Sequence, residues 1–459
     1  MQVEVTAGGP FAVGADLVAA TGDRALELGA PERAVKDADP VAMVYTDAAP
    51  LAVVALGRDG LRTAAAQAVR TCRAGGTVAW AVDPSRPLSA QVAALAEGAV
   101  IGAYDARQWR SGEPPRRVER FVICGAGDDL APVAERAALV ARWTNVAREL
   151  VDGPANVISP TGLAECAMAL PGLRSETFDA IEAGLGALAA VGGGSPDAPR
   201  LVVLRHEPPG APDAPRLSFV GKAVTFDSGG YFLKPQSDIV RQKADMGGGA
   251  AVVGALGAIA ELGLPVSVTG VLPVCENMLS GSAIRPTDVI TTASGLTVEV
   301  INPDAEGRLI LADALWWTRR DGATHVVDLA TLTGAMRAGM GDMYAGVFAN
   351  DDGWRDAIVD AGNAVGDLAW PWPLHPRYRK LIDSTVADLR NTAGKSFGYP
   401  IIAAMFLAQF AGEGPWAHVD MLGTAMLDED RGDAFGRGAT GYGVRMLVEL
   451  AARMGAASS

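Results

Sequence analysis

Val220-Gly-Lys-Ala-Val-Thr-Phe-Asp-Ser-Gly-Gly-Tyr-Phe-Leu-Lys234 decides the fold. Residues 217–226 read as a β-strand that carries Lys222 and runs into a turn at Asp227-Ser-Gly-Gly, a sequence suited to tight reversal. Successive strand side chains point to opposite faces, so Lys222 and Asp227, five residues apart, would oppose each other in a regular strand. The turn is expected to break that register and bring them together. On this segment alone, a surface lysine beside a turn-forming aspartate is an equally good reading.

Outward from this strand the pattern is α/β. Residues 266–271, 297–301, 325–329 and 417–421 read as further strands, and 246–262, 308–319 and 401–410 as helices. Sites in open α/β sheets gather at the carboxyl ends of strands. Towards the N-terminus, 41–45, 51–56, 77–82, 100–104 and 120–124 read as strands, and 64–74 and 88–96 as helices. A long helix over 129–152 is closed by Gly153-Pro154. The chain of 459 residues is too long for one ordinary core. Two domains are expected: 1–150 with the connecting helix, and 151–459. The first holds no cluster of histidines, cysteines or carboxylates, and Cys124-Gly-Ala-Gly-Asp after a strand is only a weak echo of a dinucleotide turn.

Composition narrows the function. With 49% hydrophobic and 20% charged residues the chain is globular, and its net charge of -14 disfavours nucleic acid and anionic lipid as partners. No apolar run approaches a membrane span. The start has neither a basic nor an apolar leader segment. Cys72, Cys124, Cys166 and Cys275 are scattered, as in a reducing compartment, so a cytoplasmic location is expected.

Two more segments carry chemistry. Lys243-Ala-Asp245-Met-Gly-Gly-Gly places Asp245 ahead of a glycine-rich helix start, where it is either a cap or a ligand. The glycines allow close backbone approach. Asn302-Pro-Asp304-Ala-Glu306-Gly-Arg308 follows a strand, and an extended loop there would present Asp304 and Glu306 on one side. Four carboxylates and two lysines thus issue from three strand ends. Buried unpaired carboxylates are costly, so the cluster calls for cations, with oxygen-rich ligation suited to Mg, Mn and sometimes Zn. His206, His325, His375 and His418 have no ligand spacing. Only six lysines occur in the whole chain, and three lie between 222 and 243. Lysine can give up its proton and offer a lone pair, whereas arginine effectively cannot.

The three segments resemble the signatures of the leucine aminopeptidase family. So do Leu272-Pro-Val-Cys-Glu-Asn-Met, Asp328-Leu-Ala-Thr-Leu-Thr-Gly-Ala335, Trp416-Ala-His-Val-Asp and Gly438-Ala-Thr-Gly-Tyr-Gly-Val-Arg445. The likeness covers roughly 140–450. It implies a small N-terminal α/β domain and a larger catalytic α/β domain with a central mixed sheet. It also implies a metal-dependent aminopeptidase that removes the first residue of peptides with a free N-terminus. Lys222, Asp227, Asp245, Asp304 and Glu306 would hold two divalent ions, Mn or Zn and less readily Mg, that activate a water. Lys222 would bind as a neutral amine, Lys234 would stabilise the oxyanion, and Arg308 would hold a bicarbonate acting as general base. Gln242, Thr331, Leu332 and Gly334 would line the substrate site, and the assembly would be a homohexamer.

Three positions depart from the family pattern. Gln242 stands where an apolar residue is usual, Gly398-Tyr399-Pro400 where the stretch is usually small, and Pro303 where threonine is usual. The first two leave the preferred first residue open. A specialised dipeptidase or biosynthetic-pathway peptidase with a non-leucine preference is the alternative. A two-metal phosphoesterase lacks its customary histidines here, and Ser228 lacks the G-x-S-x-G context of a serine hydrolase.

Overall fold

The computed structural model describes all residues except 37–40, 46–49, 55–59, 73–74, 108, 114–115, 212–214, 396 and 458–459. Two compact units result: 1–145 with 428–438, and 146–427 with 439–459. The division falls inside the helix Ala131–Asp152, and a short late segment joins the first unit. That segment is tied to the helix Gly60–Thr71. Gln67 donates to the carbonyl of Gly432 at 3.0 Å, and Arg70 to those of Ala434 and Asp433 at 2.7 and 2.8 Å.

The first unit is built on β1 (Gln2–Thr6), β2 (Leu17–Ala20), β3 (Val41–Tyr45), β4 (Pro50–Val54), β5 (Gly76–Ala81) and β6 (Val118–Cys124). Their order is β1-β6-β5-β2-β4-β3, parallel except for the antiparallel edge strand β3. Residues 55–56 of the expected strand 51–56 and 73–74 of the expected helix 64–74 lie outside the described residues. One expectation fails. Residues 100–104 are not a strand, because the helix Leu88–Gly102 runs through most of them. Its apolar residues keep helical spacing, and its glycines are contact points rather than breakers. A Cβ on Gly98 would lie 2.0 Å from the carbonyl oxygen of Arg62, and one on Gly102 would lie 2.5 Å from Cα of Ala66. These glycines let two helices pack backbone to backbone.

The second unit carries β7 (Arg174–Asp179), β8 (Arg200–His206), β9 (Arg216–Gly221), β10 (Ala223–Asp227) and β11 (Ser267–Asn277). A small side sheet holds β12 (Val289–Thr291), β13 (Thr297–Glu299) and, later in the chain, Leu389–Arg390. The main sheet continues with β14 (His325–Ala330), β15 (Ala345–Ala349), β16 (Ala369–Pro371) and, as β17, Trp416–Asp420. Its order is β16-β15-β17-β14-β9-β11-β8-β7, with β10 also pairing β11. The centre, from β17 to β11, is parallel, and both flanks include antiparallel pairs. This is the expected mixed sheet.

Central strands such as β9 are buried along nearly their whole length, which explains their continuous apolar runs. The helix Gly247–Leu262 is buried around most of its circumference, in keeping with its sequence of glycine, alanine and aliphatic residues. Gly263 ends it at φ 59. All the carboxyl ends that matter, those of β9, β10, β11 and β14, open to one edge of this sheet.

Candidate active site

Lys222 lies between β9 and β10 rather than within one strand. Its N–H donates to the carbonyl of Leu329 on β14 at 3.0 Å, and its own carbonyl accepts from Gly249 at 2.7 Å. β9 and β10 pair with β11 in one register, Val220 with Val271 and Ala223 with Val274, and the register shifts only between Val224 and Asp227. The break that brings Lys222 and Asp227 to one place therefore precedes the Asp-Ser-Gly-Gly turn expected to make it. The turn has another role. Asp227 Oδ1 accepts from the Gly229 N–H at 2.9 Å and from Asn277 Nδ2 at 2.8 Å, which aims the carboxylate inward.

Asp245 does not cap the helix that follows it. Met246 is the N-cap residue, and the Asp245 carboxylate turns to the lysine. Lys222 Nζ lies 2.8 and 2.7 Å from its two oxygens, and Thr331 Oγ1 donates to Oδ1 at 2.8 Å. Lys222 Nζ also reaches Glu306 Oε1 at 2.7 Å and the carbonyl of Thr331 at 3.0 Å.

The loop before the helix Gly307–Arg320 is a tight turn, not the extended segment expected. The N–H of Asp304 donates to Asn302 Oδ1 at 2.8 Å, and the N–H of Ala305 to the Asn302 carbonyl at 3.0 Å. Asp304 and Glu306 still face one cleft, as expected, but meet different lysines. Glu306 meets Lys222, while Asp304 meets Lys234 at 2.5 Å; Lys234 Nζ also lies 2.7 Å from Asp227 Oδ2. Two lysines thus bracket four carboxylates.

Asp227, Asp245 and Glu306 are buried and offer oxygens within 4.8 Å of one another. Four carboxylates against two ammonium groups leave excess negative charge in a largely buried cluster, an arrangement that is costly without a cation. The ionisation of each group reflects this. Burial, with help from Glu306, raises the Asp227 carboxyl above its usual range. Burial raises Asp245 further, against the pull of Lys222. Asp304 is pushed up to about 7 by burial and by Asp227 and Glu306. Glu306 alone is lowered, because Lys222 and Lys234 outweigh its burial. For both lysines burial favours the neutral amine, but the surrounding carboxylates hold the ammonium form.

A cleft of about 420 Å³ opens over this cluster. Gln242, Thr331, Leu332 and Gly334 all line it, as do Lys222, Asp227, Lys234, Asp245, Asp304 and Glu306. Arg308 does not. It is buried beside the cleft, with Nη1 donating to the carbonyl of Asn391 at 2.8 Å. Sequence reasoning passed over three supporting residues. Asn277, at the end of β11, bonds both Asp227 and the carbonyl of Pro303. Asn391 Oδ1 accepts from Ile301 at 2.8 Å and its Nδ2 donates to the Asn302 carbonyl at 2.7 Å, fixing the loop that carries Asp304. Asp420, at the end of β17, accepts from the Thr333 hydroxyl at 2.6 Å and holds the loop that presents Leu332. Asn277 and Asp420 stand at the carboxyl ends of strands, and that position was the available signal.

Comparison with known proteins accords with this geometry. The cytosol aminopeptidase family catalytic domain matches residues 145–448. This chain belongs to the cytosol aminopeptidase family. It is accordingly an aminopeptidase, a hydrolase of the leucine aminopeptidase type. A probable cytosol aminopeptidase of Solibacter usitatus is 40% identical over 400 residues, 85% of this chain and 83% of that protein. Among solved structures, the bottromycin maturation enzyme BotP in complex with Mn is 35% identical with a TM-score of 0.86, covering 96% of this chain and 100% of BotP. A mutant of tomato leucine aminopeptidase is 29% identical with a TM-score of 0.87, covering 99% and 96% of the two chains.

Proposed function

We propose that this aminopeptidase works with two divalent cations held in the cluster at the sheet edge. The observation that carries the reading is the convergence of Asp227, Asp245 and Glu306, buried and within 4.8 Å of one another, with Asp304 and Lys222 alongside. This donor set of hard oxygens with surplus negative charge fits divalent ions. Asp227, Asp245, Asp304, Glu306 and Lys222 would hold the two ions between them. Manganese is the favoured ion, since the BotP relative is described in complex with Mn; zinc and magnesium are the alternatives. Bound there, such ions supply Lewis acidity that activates a water and polarises the scissile carbonyl.

The protein's own groups do the rest. Lys222 can switch from an ion-pair partner to a neutral donor as its proton leaves, which arginine could not do. Lys234, held protonated between Asp227 and Asp304, faces the cleft as the donor for the oxyanion that develops on the carbonyl. The buried Nε of Arg308 has no hydrogen-bond partner among the described residues. That leaves a seat for a small planar anion such as bicarbonate, which would serve as general base. Gln242, Thr331, Leu332 and Gly334 would contact the first residue and the backbone of a peptide with a free N-terminus. A homohexamer in the cytoplasm belongs to the same reading.

A second reading concerns substrate. Gln242 places an amide in the cleft wall, and full-length similarity extends to BotP, a maturation enzyme. Both favour a specialised peptidase whose preferred first residue is not leucine. Hydrolysis of a panel of aminoacyl-p-nitroanilides and dipeptides, with Mn, Zn, Mg or chelator, tests both. Metal-dependent release lost in Asp304→Ala is expected. Turnover unaffected by chelation sinks the metal reading, and a plain preference for Leu or Met sinks the specialised one.

A further inference from the structure

Arg308 is only 1% exposed, yet its guanidinium spends one end alone on the protein, Nη1 on the Asn391 carbonyl. Its Nε is buried without a partner among the described residues. The guanidinium carbon lies 5.0 Å from the centroid of the Tyr399 ring. Tyr399 borders the cleft while Arg308 does not, so the aromatic ring forms the surface between the two.

The backbone holds Tyr399 in this place. Gly398 adopts φ 64, a left-handed conformation that side chains resist, and a Cβ there would come within 3.0 Å of Tyr378. Pro400 opens the helix Tyr399–Leu407, where its missing N–H costs nothing.

We propose that Tyr399 is a positioning residue for Arg308: its ring lies against the guanidinium and fixes its orientation, so that the Nε/Nη2 edge is held as the seat of a planar oxyanion. With Nη1 tied to Asn391 and the ring alongside, that edge is the side-on pair of donors that matches bicarbonate or a carboxylate in bidentate fashion. A cation against an aromatic face is attracted by the ring's quadrupole, more strongly where water is excluded. The contact needs the ring and not the phenol oxygen. This inference rests on the reading of Arg308 as an anion seat.

The test uses the metal-loaded enzyme and its variants Tyr399→Phe, Tyr399→Leu and Arg308→Lys, each checked for folding by thermal melting. Two readouts are taken: the bicarbonate concentration for half-maximal activation, and the binding of [13C]bicarbonate followed by NMR line broadening. Tyr399→Leu is expected to weaken bicarbonate roughly tenfold in both readouts, and Tyr399→Phe to stay within about twofold of the parent. A Leu variant that binds bicarbonate as the parent does, while Arg308→Lys abolishes binding, overturns the role of Tyr399 alone. A bicarbonate response that is absent in the parent, or untouched in Arg308→Lys, overturns the anion seat and Tyr399's role with it.

Discussion

Lys234 answers two carboxylates at once, Asp227 at 2.7 Å and Asp304 at 2.5 Å, and in the proposed mechanism it is a donor to the oxyanion rather than a metal ligand. Lys234→Met should therefore lower kcat by about 10²–10³ while leaving the metal content near that of the parent. Loss of metal together with activity in that variant would reassign the lysine to ion binding. Gln242 is a different kind of residue, a neutral amide whose Nε2 donates to the Asp238 carbonyl at 3.1 Å from the cleft wall. Gln242→Met should shift the ratio of kcat/KM for Leu over Gln or Ser substrates towards Leu by about tenfold. An unchanged ratio would remove Gln242 from the pocket. The charged residues of the site were legible because three segments together bring four carboxylates and two lysines to strand ends, more charge than caps and turns account for. Asn391 was not, because an asparagine that bonds backbone groups looks in sequence like any turn residue.

At the scale of elements, the site depends on how closely the helix Gly247–Leu262 meets the sheet. A Cβ on Gly248 would lie 2.0 Å from the Leu329 carbonyl oxygen and 3.0 Å from the Lys222 nitrogen, both backbone atoms that cannot swing aside. Gly248→Ala should cost about 1–3 kcal/mol of stability by overpacking and weaken metal binding by displacing Lys222. Calorimetry and metal titration check both, and a variant with parental stability would refute the packing account. Asp313, on the helix Gly307–Arg320, gives a pH test. It accepts N–H bonds from Ala187, Leu188 and Ala293 at 2.8, 3.0 and 2.7 Å. Burial nevertheless pushes its carboxyl up to about 6. A carboxyl raised in the folded state contributes stability that is complete below its ordinary value and is lost as pH rises through about 6. Urea unfolding should show the parent losing stability relative to Asp313→Asn between pH 4.5 and 7.5. A constant difference across that range would contradict the assignment. Elements were legible where apolar runs were long. The failure at 100–104 came from Gly98 and Gly102, which serve helix contact, and the register shift between Val224 and Asp227 falls in a strand-like run that gives no local sign of it.

The whole molecule joins a mixed sheet, whose parallel centre carries the chemistry, to a second α/β unit built on a mostly parallel sheet of its own. The larger fold was readable from alternation of strand and helix. The return of 428–438 to the first unit was not, since Gln67 and Arg70 hold it through backbone carbonyls that any sequence supplies. Among the described residues no helix is long and apolar enough to cross a membrane. The central claim is that the carboxylate cluster binds a pair of cations, and anomalous diffraction at the manganese edge from crystals grown with Mn tests it most directly. Two peaks per chain, about 3.5–4 Å apart and flanked by Asp227 and Glu306, are predicted. A single peak, or none within reach of those two carboxylates, would contradict it.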